Sequence, residues 1–468
     1  MVLFFSYFNL KRHQSLISLS FFSLIFYSYD SYKLTFLFLT SIIVNYLFCL
    51  VIDNNKNILI KKNFLVCIVL INIFILLYYK YYNFFANTFS SIVGISIKNL
   101  EIYLPLAISF YTFQQISFQV DNYKKKQKKS FLQYLLYVSF FPQLIAGPII
   151  RYSNFIKECL KKNFLKITSQ NLTIGISIII IGLFKKIIFA DSAGLYVDII
   201  FNKIGNGELL AGIDYFFFIV FFSVQIYFDF SAYSDIAVGI GKIFNFNIPV
   251  NFNSPYKSKS IIEFWKRWHI TLSQFFRDYL YIFMGGNQNI FLIQIVILIL
   301  VMTLVGFWHG AATNFIFWGF LHGVYISINH IMIKMNLKLN IPGFFKVLFT
   351  FWLVSVAFIF FRVDNFQVSL DILVRSFNYV GYFKDSYFLY DVSLSQKFTL
   401  ILSLICIFYL PNIHQIFQLK LTNIKNVKNF GISIVFKSNF YWLIYLLILS
   451  FFILINISNP QTFIYFRF

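Results

Sequence analysis

The stretch VGFWHGAATNFIFWGFLHG, residues 305–323, places two imidazoles in an otherwise apolar run, each followed at once by glycine. A histidine in hydrocarbon needs a hydrogen-bond partner or a water-filled cavity, so His309 and His322 are costly unless something uses them. Imidazole titrates near neutral pH and can take a proton from a hydroxyl while a carbonyl is attacked, which is general-base chemistry. Gly310, Ala311 and Ala312 after His309 let a substrate or another backbone come close. The competing explanation of His309 is a histidine that ties helices together. On one straight helix the two imidazoles would stand about 20 Å apart along the axis and on different faces, so they would not share a site.

A second cluster lies upstream, in FWKRWHITLSQFFRDYLYIFMGGN (264–287). Ile261, Phe264, Trp265, Trp268, Leu272, Phe275, Phe276 and Tyr279 recur at intervals of three and four, the pattern of an amphipathic helix lying at the membrane interface. Lys266, Arg267, His269, Ser273 and Arg277 fall mainly off that stripe and are expected to face water. The basic surface suits a phosphate-bearing donor. A plain solvated face, with Arg277 and Asp278 as a local charge pair, is the simpler alternative. Asp229 and Asp235 are costly at membrane depth, and sequence does not reveal their partners.

The elements that must hold these groups are apolar. Of 468 residues 59% are hydrophobic and 12% charged, a composition outside that of soluble domains and expected of a multi-span membrane protein. Runs at 34–52, 64–79, 291–307 and 440–455 approach the roughly 20 residues that cross a bilayer as a helix, and hydropathy gives about ten to twelve such spans. The runs are continuous rather than alternating, which excludes a closed barrel. Lys11 and Arg12 precede an apolar stretch (16–27) with no small-residue cleavage site after it, so an uncleaved first span is expected. Taking those two residues as cytoplasmic places Lys56, Lys61 and Lys62 inside, Lys80 and Lys98 outside, and the lysine run 121–129 inside. Pro142 and Gly147-Pro148 interrupt the segment 131–155, the mark of a re-entrant or half-inserted element. The segment 228–287 is the longest polar stretch, between a span at about 213–230 and the next near 291.

Net charge is +22, and basic residues scattered among spans anchor the chain beside anionic lipid rather than forming a nucleic-acid-binding face. Cys49, Cys67, Cys159 and Cys406 are too far apart for a metal motif or a disulfide framework. Walker, dinucleotide-binding, HExxH and GxSxG motifs are absent. The H-x4-D pair of soluble glycerolipid acyltransferases also fails, because Gln274, Asn314 and Ser327 stand five residues after His269, His309 and His322.

Taken together, 264–287 and 306–323 resemble the membrane-bound O-acyltransferase family in its bacterial branch of alginate and peptidoglycan O-acetyltransferases. SFYTFQQISFQVD (109–121), FFPQLIAGPIIRY (140–152), YFDFSAYSDIAVGIGKIFNFNIPVNFNSPY (227–256) and FIYFRF (463–468) support it, in family order from about residue 100 onward. The resemblance implies an all-α polytopic protein of the bacterial inner membrane, with re-entrant and interfacial helices around a central funnel. It would be one membrane-embedded domain over 1–468, with N-terminal spans to 100, a catalytic core at 101–340 and C-terminal spans from 341.

The family's near-invariant histidine matches His309 in WHG and its second functional histidine matches His269 in RWH; Thr271 stands where serine is common and keeps the hydroxyl. Trp308, Asn314 and His322 are expected to shape the substrate pocket, and Lys266, Arg267 and Arg277 to meet the donor's phosphates. The implied donor substrate is cytoplasmic acetyl-CoA, with no tightly bound cofactor and no metal. The acceptor would be a hydroxyl on a periplasmic partner or carrier, and the acetyl group would end on an envelope or extracellular polysaccharide. Two alternatives stay open: D-alanyl transfer to teichoic acid, and a lipid or polymer transporter, for which no inverted repeat is visible.

Overall fold

Hydrocarbon offers backbone N–H and C=O groups no partner but each other, and the apolar runs accordingly fold as helices. The computed structural model describes residues 11–29, 31–144, 147–337, 340–378, 382–419, 434–457 and 461–464. The principal helices are α1 (Arg12–Ser28), α2 (Tyr32–Asn54), α3 (Ile58–Val93), α4 (Ile108–Lys124), α5 (Phe131–Ser139), α6 (Ser169–Gly205), α7 (Gly212–Ile243), α8 (Ile261–Arg267), α9 (Ile270–Phe276), α10 (Phe291–His309), α11 (Thr313–Lys334), α12 (Gly343–Arg362), α13 (Leu394–Tyr409) and α14 (Phe440–Asn456).

Among the described residues seven helices are long and apolar enough to cross a membrane, namely α2, α3, α6, α7, α10, α11 and α12. The chain is a multi-pass membrane protein. Shorter apolar helices, α13 and α14, account for part of the difference from the ten to twelve expected spans. α1, the expected first span, has 17 residues. Two expected boundaries move. Lys80 lies within the 36-residue α3 instead of a loop, and α7 runs on for 32 residues to Ile243, so Asp229 and Asp235 sit buried inside a helix. The interrupted segment after residue 131 is broken as its prolines require: α5 ends at Ser139, one turn covers Phe141–Leu144, and a further helix begins at Tyr152.

The chain divides into two compact units, Met1–Ile176 with Ala237–Pro249, and Ser177–Ile236 with Val250–Phe468. In the first, side-chain amides join helices: Asn45 and Asn72 exchange hydrogen bonds at 3.1 and 2.9 Å, and Gln119 donates to the Asn45 carbonyl at 2.6 Å. Such pairs satisfy polar groups that hydrocarbon would leave bare. In the same unit Lys129, its side chain 3% exposed, reaches both Asp53 and Asn122.

In the second unit α10 and α11 form a hairpin whose turn is Gly310–Ala312. A side chain at Gly306 would meet the Phe315 carbonyl oxygen at 2.1 Å, one at Gly319 the Met302 carbonyl oxygen at 2.3 Å, and one at Gly323 the Ile299 Cα at 2.8 Å. The two backbones therefore touch, and only hydrogen fits between them. Gly319→Ala or Gly306→Ala must push the hairpin apart and is expected to lower the thermal midpoint in detergent by several degrees or reduce folded yield, whereas Gly205→Ala, with nothing within 4 Å of the added carbon, should be neutral. Equal midpoints for all three, by fluorescence or size-exclusion stability, would contradict the backbone contact.

Candidate active site

The helix hairpin decides where the first two imidazoles lie. α10 stops at His309 because Gly310 is extended, at φ −159°, and a side chain at Gly310 would collide with the Phe315 ring at 2.2 Å. His309 is thus the last residue of an apolar helix, 4% exposed and walled by Trp308, Trp318 and Phe361 with ring centroids 4.8, 5.2 and 5.3 Å away. His322, fully buried in α11, stands four residues after Trp318 and on its face, with centroids 4.8 Å apart. Both imidazoles therefore pack against one indole. The straight-helix geometry, which would have kept them on different faces, does not apply, because the chain turns back at residues 310–312.

Trp265 donates its indole N–H to His322 Nδ1 at 3.3 Å. In the neutral ring that leaves the proton on Nε2. His322 Nε2 and Trp318 Nε1 are buried with no hydrogen-bond partner among the described residues. Two N–H donors left in this state inside an aromatic cage are where an oxygen-bearing group would find its partners.

His269 occupies a different setting from the one its sequence pattern implies. α8 ends at Arg267, His269 takes the left-handed conformation at φ +40°, and α9 begins at Ile270. A residue other than glycine is uncommon there and needs its surroundings to hold it. Asn251 supplies that hold: its carbonyl accepts from Ile270 N at 2.9 Å, and its Oδ1 accepts from Thr271 N and Oγ1 at 3.1 and 3.0 Å. The His269 ring is fully buried, edge-on to Phe230 at 4.7 Å and near Phe252 at 6.3 Å, and neither ring nitrogen has a hydrogen-bond partner among the described residues. Burial lowers its pKa to about 3, so the ring is neutral at working pH, with one nitrogen able to donate and the other to accept a hydrogen bond.

The expected continuous interfacial helix over 261–279, with Arg267 and His269 turned to water, is therefore corrected. Arg267 is 3% exposed; its Nε and one terminal nitrogen donate to Glu263 Oε1 at 3.1 and 2.7 Å, and the other donates to the Asn253 carbonyl at 3.1 Å. Its fork joins α8 to the 251–254 segment, so it is not presented to solvent for a donor phosphate. Lys266 and Arg277 are exposed as expected, Arg277 paired with Asp278 at 2.7 Å. Trp308 is 6% exposed between His309 and Phe276. Asn314, at the start of α11, donates its amide to the Val363 carbonyl and leaves its buried Oδ1 without a hydrogen-bond partner among the described residues.

Sequence reasoning missed Asn251, Trp265 and Trp318. The four-residue spacing of Trp318 and His322 was a usable signal for a shared face. Asn251 carried none, because its partners lie about twenty positions away. Of the FIYFRF ending, Phe463 and Ile464 are described and 465–468 lie outside the described residues. The depressed pKa of His269 has a thermodynamic consequence. Below an ordinary histidine pKa of about 6.5 the unfolded chain gains a proton that the folded one refuses, so stability must fall as pH drops from 7 toward 4. His414, lowered to about 4 by burial, adds a contribution of the same sign. The thermal midpoint in detergent should decline between pH 7 and pH 5, and His269→Asn should flatten that slope; an unchanged slope in the variant would mean that His269 is solvated in the folded protein.

Residues 21–363 match the model of MBOAT, the membrane-bound O-acyltransferase family. The chain is 38% identical over 379 residues to the peptidoglycan O-acetyltransferase of Helicobacter pylori, a match covering 75% of this chain and 71% of that protein. It is 35% identical over 317 residues to the protein named "Probable alginate O-acetylase AlgI" of Pseudomonas aeruginosa, covering 66% of this chain and 59% of the relative, less than two thirds of its length. The teichoic acid D-alanyltransferase of Bacillus subtilis is 31% identical over 242 residues, half of this chain. The chain belongs to the membrane-bound O-acyltransferase family, in its bacterial branch of peptidoglycan and alginate O-acetyltransferases.

Proposed function

We propose that this enzyme moves an acetyl group from acetyl-CoA, approaching from the cytoplasm, to a hydroxyl acceptor that serves O-acetylation of an envelope polysaccharide, in the bacterial inner membrane. The observation that carries the reading is the buried imidazole of His309 at a helix end, caged by Trp308, Trp318 and Phe361. The reaction forms an ester C–O bond and breaks the thioester C–S bond. His309 takes the acceptor hydroxyl's proton as its oxygen attacks the carbonyl, and that proton leaves with the CoA sulfur as a thiol. General-base assistance of this kind contributes about 10²–10⁴-fold. The cage of rings keeps bulk water from the thioester, which would otherwise hydrolyse.

His269, neutral and with neither ring nitrogen hydrogen-bonded among the described residues, supplies the second polar contact to the reacting groups. Trp308, Asn314 and His322 shape the pocket. Lys266 and Arg277 meet the donor's phosphates, while Arg267 acts indirectly by fixing α8 to Asn253. No tightly bound cofactor or metal enters the scheme. A periplasmic acetyltransferase partner would carry the acetyl group onward to an alginate-like polymer or peptidoglycan. The D-alanyl alternative rests on matches that cover about half of the chain and ranks second. Membership in an acyltransferase family sets the transporter alternative aside.

Inside-out membrane vesicles given labelled acetyl-CoA test the scheme, because enzyme, partner and polymer are all present. His309→Ala at matched folded yield is expected to lose at least 10²-fold of polymer labelling; full labelling would return His309 to helix packing, and labelling only from a D-alanyl carrier thioester would install the second reading. Lys266→Ala and Arg277→Ala should raise KM for acetyl-CoA severalfold with kcat within about twofold. A fall in kcat with unchanged KM would remove both residues from the donor site.

A further inference from the structure

A buried charge cluster lies away from the histidine cage and has no part in the chemistry above. Lys186, in the π-helical turn Lys185–Ala190 of α6, pairs with Asp191 at 2.7 Å and with Asp229 of α7 at 2.8 Å. The three side chains are 9%, 8% and 2% exposed. One ammonium against two carboxylates leaves a surplus negative charge that is expensive at this depth unless other donors meet it. Main-chain N–H groups from the far end of the chain do so: Ile464 donates to Asp229 Oδ2 at 2.7 Å and Gln461 to Asp191 Oδ2 at 3.4 Å. Hydrogen bonds to ionised acceptors are about twice as strong as neutral ones, so the segment is held firmly although most of it forms no regular structure.

What the latch holds in place is a phenylalanine. Phe463, 2% exposed, packs on Tyr233 at 4.0 Å and on Phe230 at 6.1 Å. Phe230 immediately follows the latch residue Asp229, and its ring meets His269 edge-on at 4.7 Å. Neither His269 ring nitrogen has a hydrogen-bond partner among the described residues, so packing against neighbouring rings orients that imidazole. We propose that Gln461–Ile464 is a positioning element for His269: the Lys186–Asp191–Asp229 latch holds Phe463 against Phe230, and Phe230 fixes the angle of the imidazole. The proposal rests on the reading of His269 as a working group. It makes Phe463 and Phe230 positioning residues that touch no substrate.

The test is a double-mutant cycle in the labelled-acetyl vesicle assay. Phe463→Ala and Phe230→Ala should each lower kcat by roughly tenfold, as loss of orientation does, with KM for acetyl-CoA within about twofold and folded yield matched. The double variant should be no worse than the worse single, and Phe463→Tyr, which keeps the ring, should restore most of the rate. Should Phe463→Ala not fold, Phe463→Leu removes the ring edge while keeping apolar volume, with the same loss expected. Multiplying losses in the double variant, or a KM effect with kcat intact, would overturn the relay. His269→Ala is measured alongside: if it is impaired while Phe463→Ala is not, the latch fails alone, and if His269→Ala is fully active, the reading of His269 fails and the relay with it.

Discussion

Contact between the backbones of α10 and α11 is the constraint on which the site depends. Where Gly306 faces Gly319, no atom larger than hydrogen fits between the helices. That closeness lets an apolar hairpin pack without help from the hydrophobic effect, which does not drive helices together in lipid. It also sets the register by which Trp318, on the returning helix, falls between His309 and His322. A wider hairpin would keep both histidines and lose the shared wall. The extended Gly310 completes the arrangement by ending α10 at the imidazole, so that His309 stands at a helix end instead of among hydrocarbon-facing side chains.

A second constraint is the cost of charge at depth. Asp229 and Asp235 both lie in α7, and each is met by a lysine from the π-helical turn of α6, Lys186 at 2.8 Å and Lys185 at 2.7 Å. π-turns place successive residues at angles an α-helix does not allow and recur at functional sites. Here the turn aims two adjacent lysines at carboxylates six residues apart. Removing one partner of such a pair strands the other charge in a medium that cannot solvate it, which makes these pairs structural necessities rather than ornaments. In the other unit a buried Lys129–Asp53 pair meets the same need, beside the uncharged Asn45–Asn72 amide exchange.

The region around His269 illustrates a third kind of control, in which polar loops fix a strained residue. Asn251 receives three hydrogen bonds from Ile270 and Thr271, and Arg267 ties back to Glu263 and Asn253. The left-handed turn at His269 is thereby over-determined, and the imidazole faces inward among Phe230 and Phe252. Hydroxyl-bearing Thr271 is part of this clamp, its Oγ1 donating to Asn251 Oδ1 at 3.0 Å.

The sequence by itself determined the membrane class, the helical character and the two histidines worth attention, because hydropathy and the cost of buried imidazole are local properties of the chain; the break after His309 came from the structure. It also carried the family's motifs. The faces of 261–279 were not legible: a stripe at intervals of three and four survives when one residue adopts positive φ, so two short helices with a buried His269 between them look like one amphipathic helix. Nor were the partners of Asp229 and Asp235, or the burial of Arg267, since these rest on residues brought together by folding. Tertiary structure alone decided that His309 and His322 share Trp318, that Asn251 clamps His269, and that residues 461–464 dock on α6 and α7. The physical reason is that periodicity reports which side of a helix is apolar, while a site is made by distances between helices, and those are set by packing and by the pairing of buried polar groups.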